Sequence, residues 1–163
     1  MEKILRSVYE NKRKMKLCLV LSTVSAYCVA LLFGLQLILH LLEGAYITLA
    51  VAAGAAALGF ITVTVLRKII NAKRPYEIYS FYTEPPRTKR GEAHPSRHAY
   101  SAAVITVLSW LVSPFFSLGV GVLALIISVT RVVTGVHFLR DVVAGLLLGA
   151  VFGGAGLLTL FLI

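Results

Sequence analysis

Two stretches of this chain, Leu17–Leu42 and Ala45–Leu66, contain no Lys, Arg, Asp or Glu, and a third, Val142–Ile163, is equally free of them. Runs of about 20 apolar residues are what a helix needs to cross a hydrocarbon core of roughly 30 Å. Two further runs, His98–Val112 and Phe115–Val133, are divided only by the turn signal Ser113-Pro114. The pattern predicts an all-α, polytopic transmembrane bundle of about five spanning helices. Composition agrees: 58% of the 163 residues are hydrophobic and 14% charged, against about 25% charged in an ordinary soluble domain. Residues 1–163 read as one membrane-embedded domain. Within it, residues 1–16 form a basic interfacial segment in which Ile4, Leu5, Val8 and Met15 share a helix face. Residues 67–98 form the one long polar loop.

The formal charge of +9 would raise nucleic acid as a partner for a soluble chain. Here the cations sit between apolar spans, which points to membrane lipids and phosphate-bearing lipids and away from nucleic acid. Cys18 and Cys28 are ten residues apart in one span, about 15 Å along a helix, and cannot pair with each other. The first apolar run is too long for the core of a signal peptide. Basic residues crowd the N-terminus and the loop after the second span, while the turns after spans one and three have none. The positive-inside rule therefore puts the N-terminus, the long loop and residues 131–141 in the cytoplasm, with a bacterial inner membrane as the expected location. Tyr76, Tyr79 and Tyr82 fit an aromatic belt at headgroup level. Gly145, Gly149 and Gly153 recur every four residues, a helix-packing pattern that also offers a face for a homo-oligomer.

Ionisable groups next to apolar spans are costly and invite a functional reading. Arg67 to Pro75 closes the second span; alone, it is a snorkelling basic flank. Pro95-Ser96-Arg97-His98 opens the third. Ser96 suits an N-cap, and the same helix start presents N–H groups and a positive dipole end to an anion. Thr130-Arg131, His137 and Asp141 follow the fourth span. His137 and Asp141 are four apart, so on a helix they share a face. A carboxylate on one ring nitrogen fixes the tautomer and leaves the other nitrogen to attack. Alone, the pair reads as a buried hydrogen bond. Together, the arginines, an oriented histidine and a second histidine supply what phosphoryl transfer needs: cations, a nucleophile and an acid.

Arg67-x6-Arg74-Pro75, Pro95-Ser96-Arg97-His98 and Thr130-Arg131-x5-His137-x3-Asp141 resemble, in order and spacing, the three signature motifs of the type 2 phosphatidic acid phosphatase (PAP2) superfamily of integral-membrane lipid phosphatases. Those motifs are K-x6-R-P, P-S-G-H and S-R-x5-H-x3-D. Three positions depart: Arg67 for Lys, Thr130 for Ser and Arg97 for Gly. The family often has six spans and an outward-facing site, so one span fewer before the first motif would invert it. The resemblance implies that His137 forms a phosphohistidine with Asp141 on its other nitrogen. It implies that His98 protonates the leaving oxygen and then activates water. Phosphate oxygens are then held by Arg67, Arg74, Arg131, Ser96 and the backbone at Arg97. No metal or cofactor is expected, since arginines neutralise the charge and Asp141 is the only acid beside them.

His94 reads as an exposed loop residue, and Glu77, Glu84 and Glu92 as balancing loop charge. The substrate stays open among polyprenyl diphosphate, phosphatidylglycerophosphate, phosphatidate and lipid A phosphates. A small transporter or channel subunit would carry charges at mid-span; here they cluster at helix ends. An inactive scaffold is the remaining alternative.

Overall fold

The computed structural model describes residues 1–84 and 86–163. It is built from α1 (Glu2–Glu10), α2 (Lys12–Leu42), α3 (Tyr46–Ile70), the single turn α4 (Pro75–Ile78), α5 (Arg97–Leu108), α6 (Pro114–Val133) and α7 (Leu139–Leu162). No strand occurs among the described residues. Among the described residues four helices, α2, α3, α6 and α7, are long and apolar enough to cross a membrane, beside the expectation of about five. The difference lies in α5. Its 12 residues reach about 18 Å, and Ser109–Leu111 then tightens into a 3₁₀ turn.

Burial explains how so short a helix is accommodated. Seven of its 12 residues are buried, among them Tyr100, Val104 and Leu108. It packs against α7, α6, α3 and α2. It is therefore the axis of the bundle, solvated by protein, while its neighbours turn Leu31, Leu58, Leu125 and Leu147 outward. A helix surrounded by helices has no hydrocarbon thickness to match.

The glycine stripe is what lets α7 lie against α5. A Cβ at Gly149 would stand 2.6 Å from both the Ala103 Cβ and the Tyr100 carbonyl; at Gly153 it would stand 2.7 Å from the Val107 Cβ. These glycines are buried. The expected packing role is observed, with α5 of the same chain covering the stripe.

At the loop end of the spans, α1 folds back onto the segment after α4. Leu5 packs with Tyr76 and Tyr82, joined by Tyr9, Met15, Tyr79 and Phe81. The Tyr9 hydroxyl is 3.0 Å from that of Thr83 and accepts from the Glu84 N–H. Tyr76 and Tyr82 are thus buried between α1 and the loop instead of forming a lipid-facing belt, and Ile4 points away from Leu5 into the surroundings.

Candidate active site

Four helix ends define the site, and each is placed by a local signal. The α3 helix stops at Asn71, which adopts the left-handed conformation (φ 42°). The Asn71 side chain accepts from the Glu92 N–H, and Ala93 donates to the Ala72 carbonyl, drawing the distal part of the loop back over the end of α3. Glu77 accepts from the N–H groups of Arg74 and Gly91 at 2.9 Å each. It therefore ties the two ends of the loop together, a structural task that its expected charge-balancing role understated. Glu92 does pair with a loop cation, Lys89, at 2.7 Å.

On this frame Arg67 and Arg74 turn inward. Arg67 donates to the Pro95 carbonyl at 2.7 Å. Arg74 donates to the carbonyls of Gly91 (3.0 Å) and Val136 (3.2 Å), bridging the first motif to the segment that carries His137. Both are about 95% buried, as is Arg131. Buried cations are tolerable only when paired or hydrogen-bonded. Yet the Nε atoms of Arg67 and Arg131 have no hydrogen-bond partner among the described residues. Donors left this way suit an anion.

The second motif begins α5. Ser96 is fully buried, with its Oγ accepting from the Ala99 N–H at 3.5 Å and its N–H donating to the Asp141 carbonyl at 2.9 Å. The Ser96 side chain is thus engaged as a helix cap. Arg97 leans toward α3, its guanidinium 5.7 Å from the Phe60 ring centroid. His98 opens into a cavity that Arg87, Arg97 and Arg131 also line.

The third motif turns at Gly135 (φ 72°), where a side chain would strike the Tyr82 hydroxyl. His137 and Val136 donate their N–H groups to the Arg131 carbonyl, closing the turn under the α6 end. Asp141 has no exposed surface. Its Oδ2 accepts from the Phe138 N–H at 2.9 Å, capping α7, and lies 3.8 Å from His137 Nδ1. That is too long for a hydrogen bond, but it leaves Nε2 as the nitrogen facing away from the carboxylate. Burial, aided by Arg74 and Arg67 and opposed by Asp141, pushes the His137 imidazole down to about 4.

Asp141 has a closer partner. The Nδ1 of His94 stands 3.0 Å from Oδ1, and His94 is mostly buried. Expected as an exposed loop residue, His94 instead shares the carboxylate with His137. No local spacing signals this contact, because the partners are 47 positions apart. All the expected site residues therefore gather at one end of the bundle, with His94 added and with Arg87 contributed by the loop.

A helical bundle with this cationic, histidine-bearing end is the architecture of a known class. The PAP2 superfamily model matches residues 47–161, and the chain belongs to that superfamily. Two solved structures have the same fold. LpxE of Aquifex aeolicus superposes with a TM-score of 0.70 at 22% identity, covering 85% of this chain and 84% of its own. A transmembrane PAP2-type phosphatidylglycerolphosphate phosphatase from Bacillus subtilis superposes at 0.53 with 20% identity, covering 98% and 92%. Comparison with curated proteins gives no match.

Proposed function

We propose that this membrane protein is a lipid phosphatase that works through a phosphohistidine, without a metal ion. One observation carries the reading. Three deeply buried arginines from α3, the loop and α6 meet two histidines and one carboxylate at a single end of the bundle, and two of those arginines have Nε donors unused by the protein. The superfamily and the lipid phosphatases among its structural neighbours support the same reaction class.

The chemistry follows from the arrangement. Guanidinium groups of Arg67, Arg74 and Arg131 hold the non-bridging oxygens and stabilise charge in the transition state. The backbone at Arg97 and His98 adds N–H donors at the start of α5; Ser96 serves mainly by capping that start. His137 Nε2 attacks phosphorus in line, neutral because its pKa is depressed, with Asp141 behind the ring to balance the developing imidazolium. His98 gives a proton to the departing lipid oxygen, then takes one from the water that splits the phosphoenzyme. Water supplies the fourth oxygen of orthophosphate, and His137 returns unmodified.

The substrate is a lipid phosphate presented from the bilayer to a site at headgroup level. Because α1 rests on the 76–84 loop, the basic N-terminus lies at the same end as the site, which favours a cytoplasmic active face. The test is phosphate release in detergent from a panel of lipid phosphates. His137→Ala or His98→Ala abolishes release while far-ultraviolet circular dichroism stays unchanged. Full activity in either variant removes that residue from its role.

A further inference from the structure

A cavity of about 520 Å³ opens beside the site between α2, α3, α5 and α6, within the range of roughly 300–1,000 Å³ usual for small-ligand sites. Its apolar wall includes Val29, Phe60 and Ile127. Its polar end is made by Arg87, Arg97, His98 and Arg131, with no acidic residue in the lining. Arg67, Arg74 and His137 lie outside it. The cavity is thus on the His98 side of the phosphate cage and away from the attacking nitrogen. In an in-line displacement the nucleophile and the leaving oxygen stand on opposite sides of phosphorus, so a group departing toward His98 would enter this cavity.

That side carries more positive charge than a departing alkoxide uses. Arg67, Arg74 and Arg131, offset by Asp141, leave a net charge of about +2, which balances a phosphomonoester of roughly −1.5 to −2. Arg87 and Arg97 come in addition, and neither has an ion-pair partner among the described residues. The Phe60 ring holds the Arg97 guanidinium without cancelling its charge.

We propose that Arg87 and Arg97 form a second anion subsite, binding a phosphate that stays on the leaving group. This rests on the phosphatase reading above. It makes the preferred substrate a lipid whose scissile phosphate departs from another phosphate-bearing group. In a lipid diphosphate, the bond between the outer phosphorus and the bridging oxygen breaks. The bridging oxygen leaves with the electron pair as part of the lipid monophosphate and takes a proton from His98. Water then returns a proton to His98 and releases orthophosphate from His137. A headgroup with a phosphodiester next to its terminal monoester presents the same pair of anions.

The test compares kcat/KM for farnesyl diphosphate, farnesyl phosphate and phosphatidylglycerol phosphate in detergent micelles, for wild type, Arg87→Gln, Arg97→Gly and the double variant. The readout is the ratio to farnesyl phosphate, which a general loss of activity leaves unmoved. Wild type prefers a two-phosphate substrate, and each substitution lowers the ratio roughly tenfold, the scale of one charge-assisted hydrogen bond. Whether the diphosphate or the phosphodiester headgroup shows the larger ratio identifies the source. A ratio unchanged in the double variant, or a wild-type preference for farnesyl phosphate, overturns the proposal. Binding provides a readout independent of turnover. His137→Ala protein is titrated with farnesyl methylenediphosphonate and farnesyl phosphonate. Tighter binding of the former, lost when Arg87 and Arg97 are also replaced, supports the subsite; equal binding overturns it. If wild type hydrolyses none of the three lipids yet binds the bisphosphonate selectively, the phosphatase reading fails and the subsite stands.

Discussion

Replacing Gly145 with Ala tests how packing positions the chemistry. A Cβ at this position stands 2.5 Å from the Ser96 carbonyl oxygen and 3.0 Å from the Ala99 Cβ, where ordinary contact begins at 3.4 Å. The α5 start must therefore retreat from α7 by about 0.9 Å, since a backbone carbonyl cannot rotate aside as a side chain can. In an open helix the same change would gain up to about 1 kcal/mol of propensity. Overpacking costs about 1–3 kcal/mol, so the sign here is destabilising. The larger effect falls on rate. Ser96 donates its N–H to the Asp141 carbonyl, and His98 sits two residues on, so the wedge parts the second motif from the third. A displacement near 1 Å can cost on the order of 10²-fold in rate. The assay is kcat/KM for lipid phosphate release, with thermal unfolding in the same detergent. Gly154→Ala is the control, because nothing lies within 4 Å of its Cβ; it should keep wild-type activity and gain slightly in stability. Gly145→Ala protein that is folded and as active as wild type would refute the claim that this contact sets the spacing of the motifs.

Other substitutions and conditions probe the groups around Asp141 and the source of positive charge. His94→Phe removes the 3.0 Å contact to Asp141 and should lower kcat roughly 10-fold, as expected for losing a hydrogen bond to a charged group, with KM little changed; an equal loss carried by KM would mean that His94 touches substrate. Because burial lowers His137 to about 4, its neutral, nucleophilic form persists as pH falls from 7 to 5.5. Phosphoenzyme formation measured by rapid quench should therefore drop far less over that interval than the roughly tenfold expected of a histidine with its ordinary pKa near 6.5. A tenfold fall would contradict the burial argument. If guanidinium groups carry the neutralising charge as proposed, incubation with EDTA should leave phosphate release intact; a large loss restored by a divalent cation would point to a metal mechanism.

The helical membrane architecture was legible in the sequence because lipid imposes a simple demand, long runs without charge, and α2, α3, α6 and α7 meet it openly. The status of α5 was not. Its Ala-rich stretch has the hydropathy of a span, but hydropathy does not distinguish lipid from neighbouring helices, and the 3₁₀ turn at Ser109–Leu111 shortens it further. Gly145, Gly149 and Gly153 announced close packing, whereas only the fold reveals that the partner is α5 of the same chain. Fixed spacings within each motif singled out Arg67, Arg74, His98, Arg131, His137 and Asp141, which the fold places at one end of the bundle. His94, Glu77 and Arg87 escaped because their relations run across the folded loop and carry no periodicity. The tyrosines misled for a related reason: an amphipathic ring suits a headgroup belt and a protein cluster equally, and α1 supplies the cluster.

Rapid acid-free quenching of the wild-type enzyme with a ³²P-labelled lipid phosphate, followed by peptide mass spectrometry, addresses the nucleophile itself. The expected result is an acid-labile phosphoryl group on Nε2 of His137, formed and discharged at rates that match turnover. Turnover without label on the peptide that contains His137, or label on another residue with competent kinetics, would contradict the central claim.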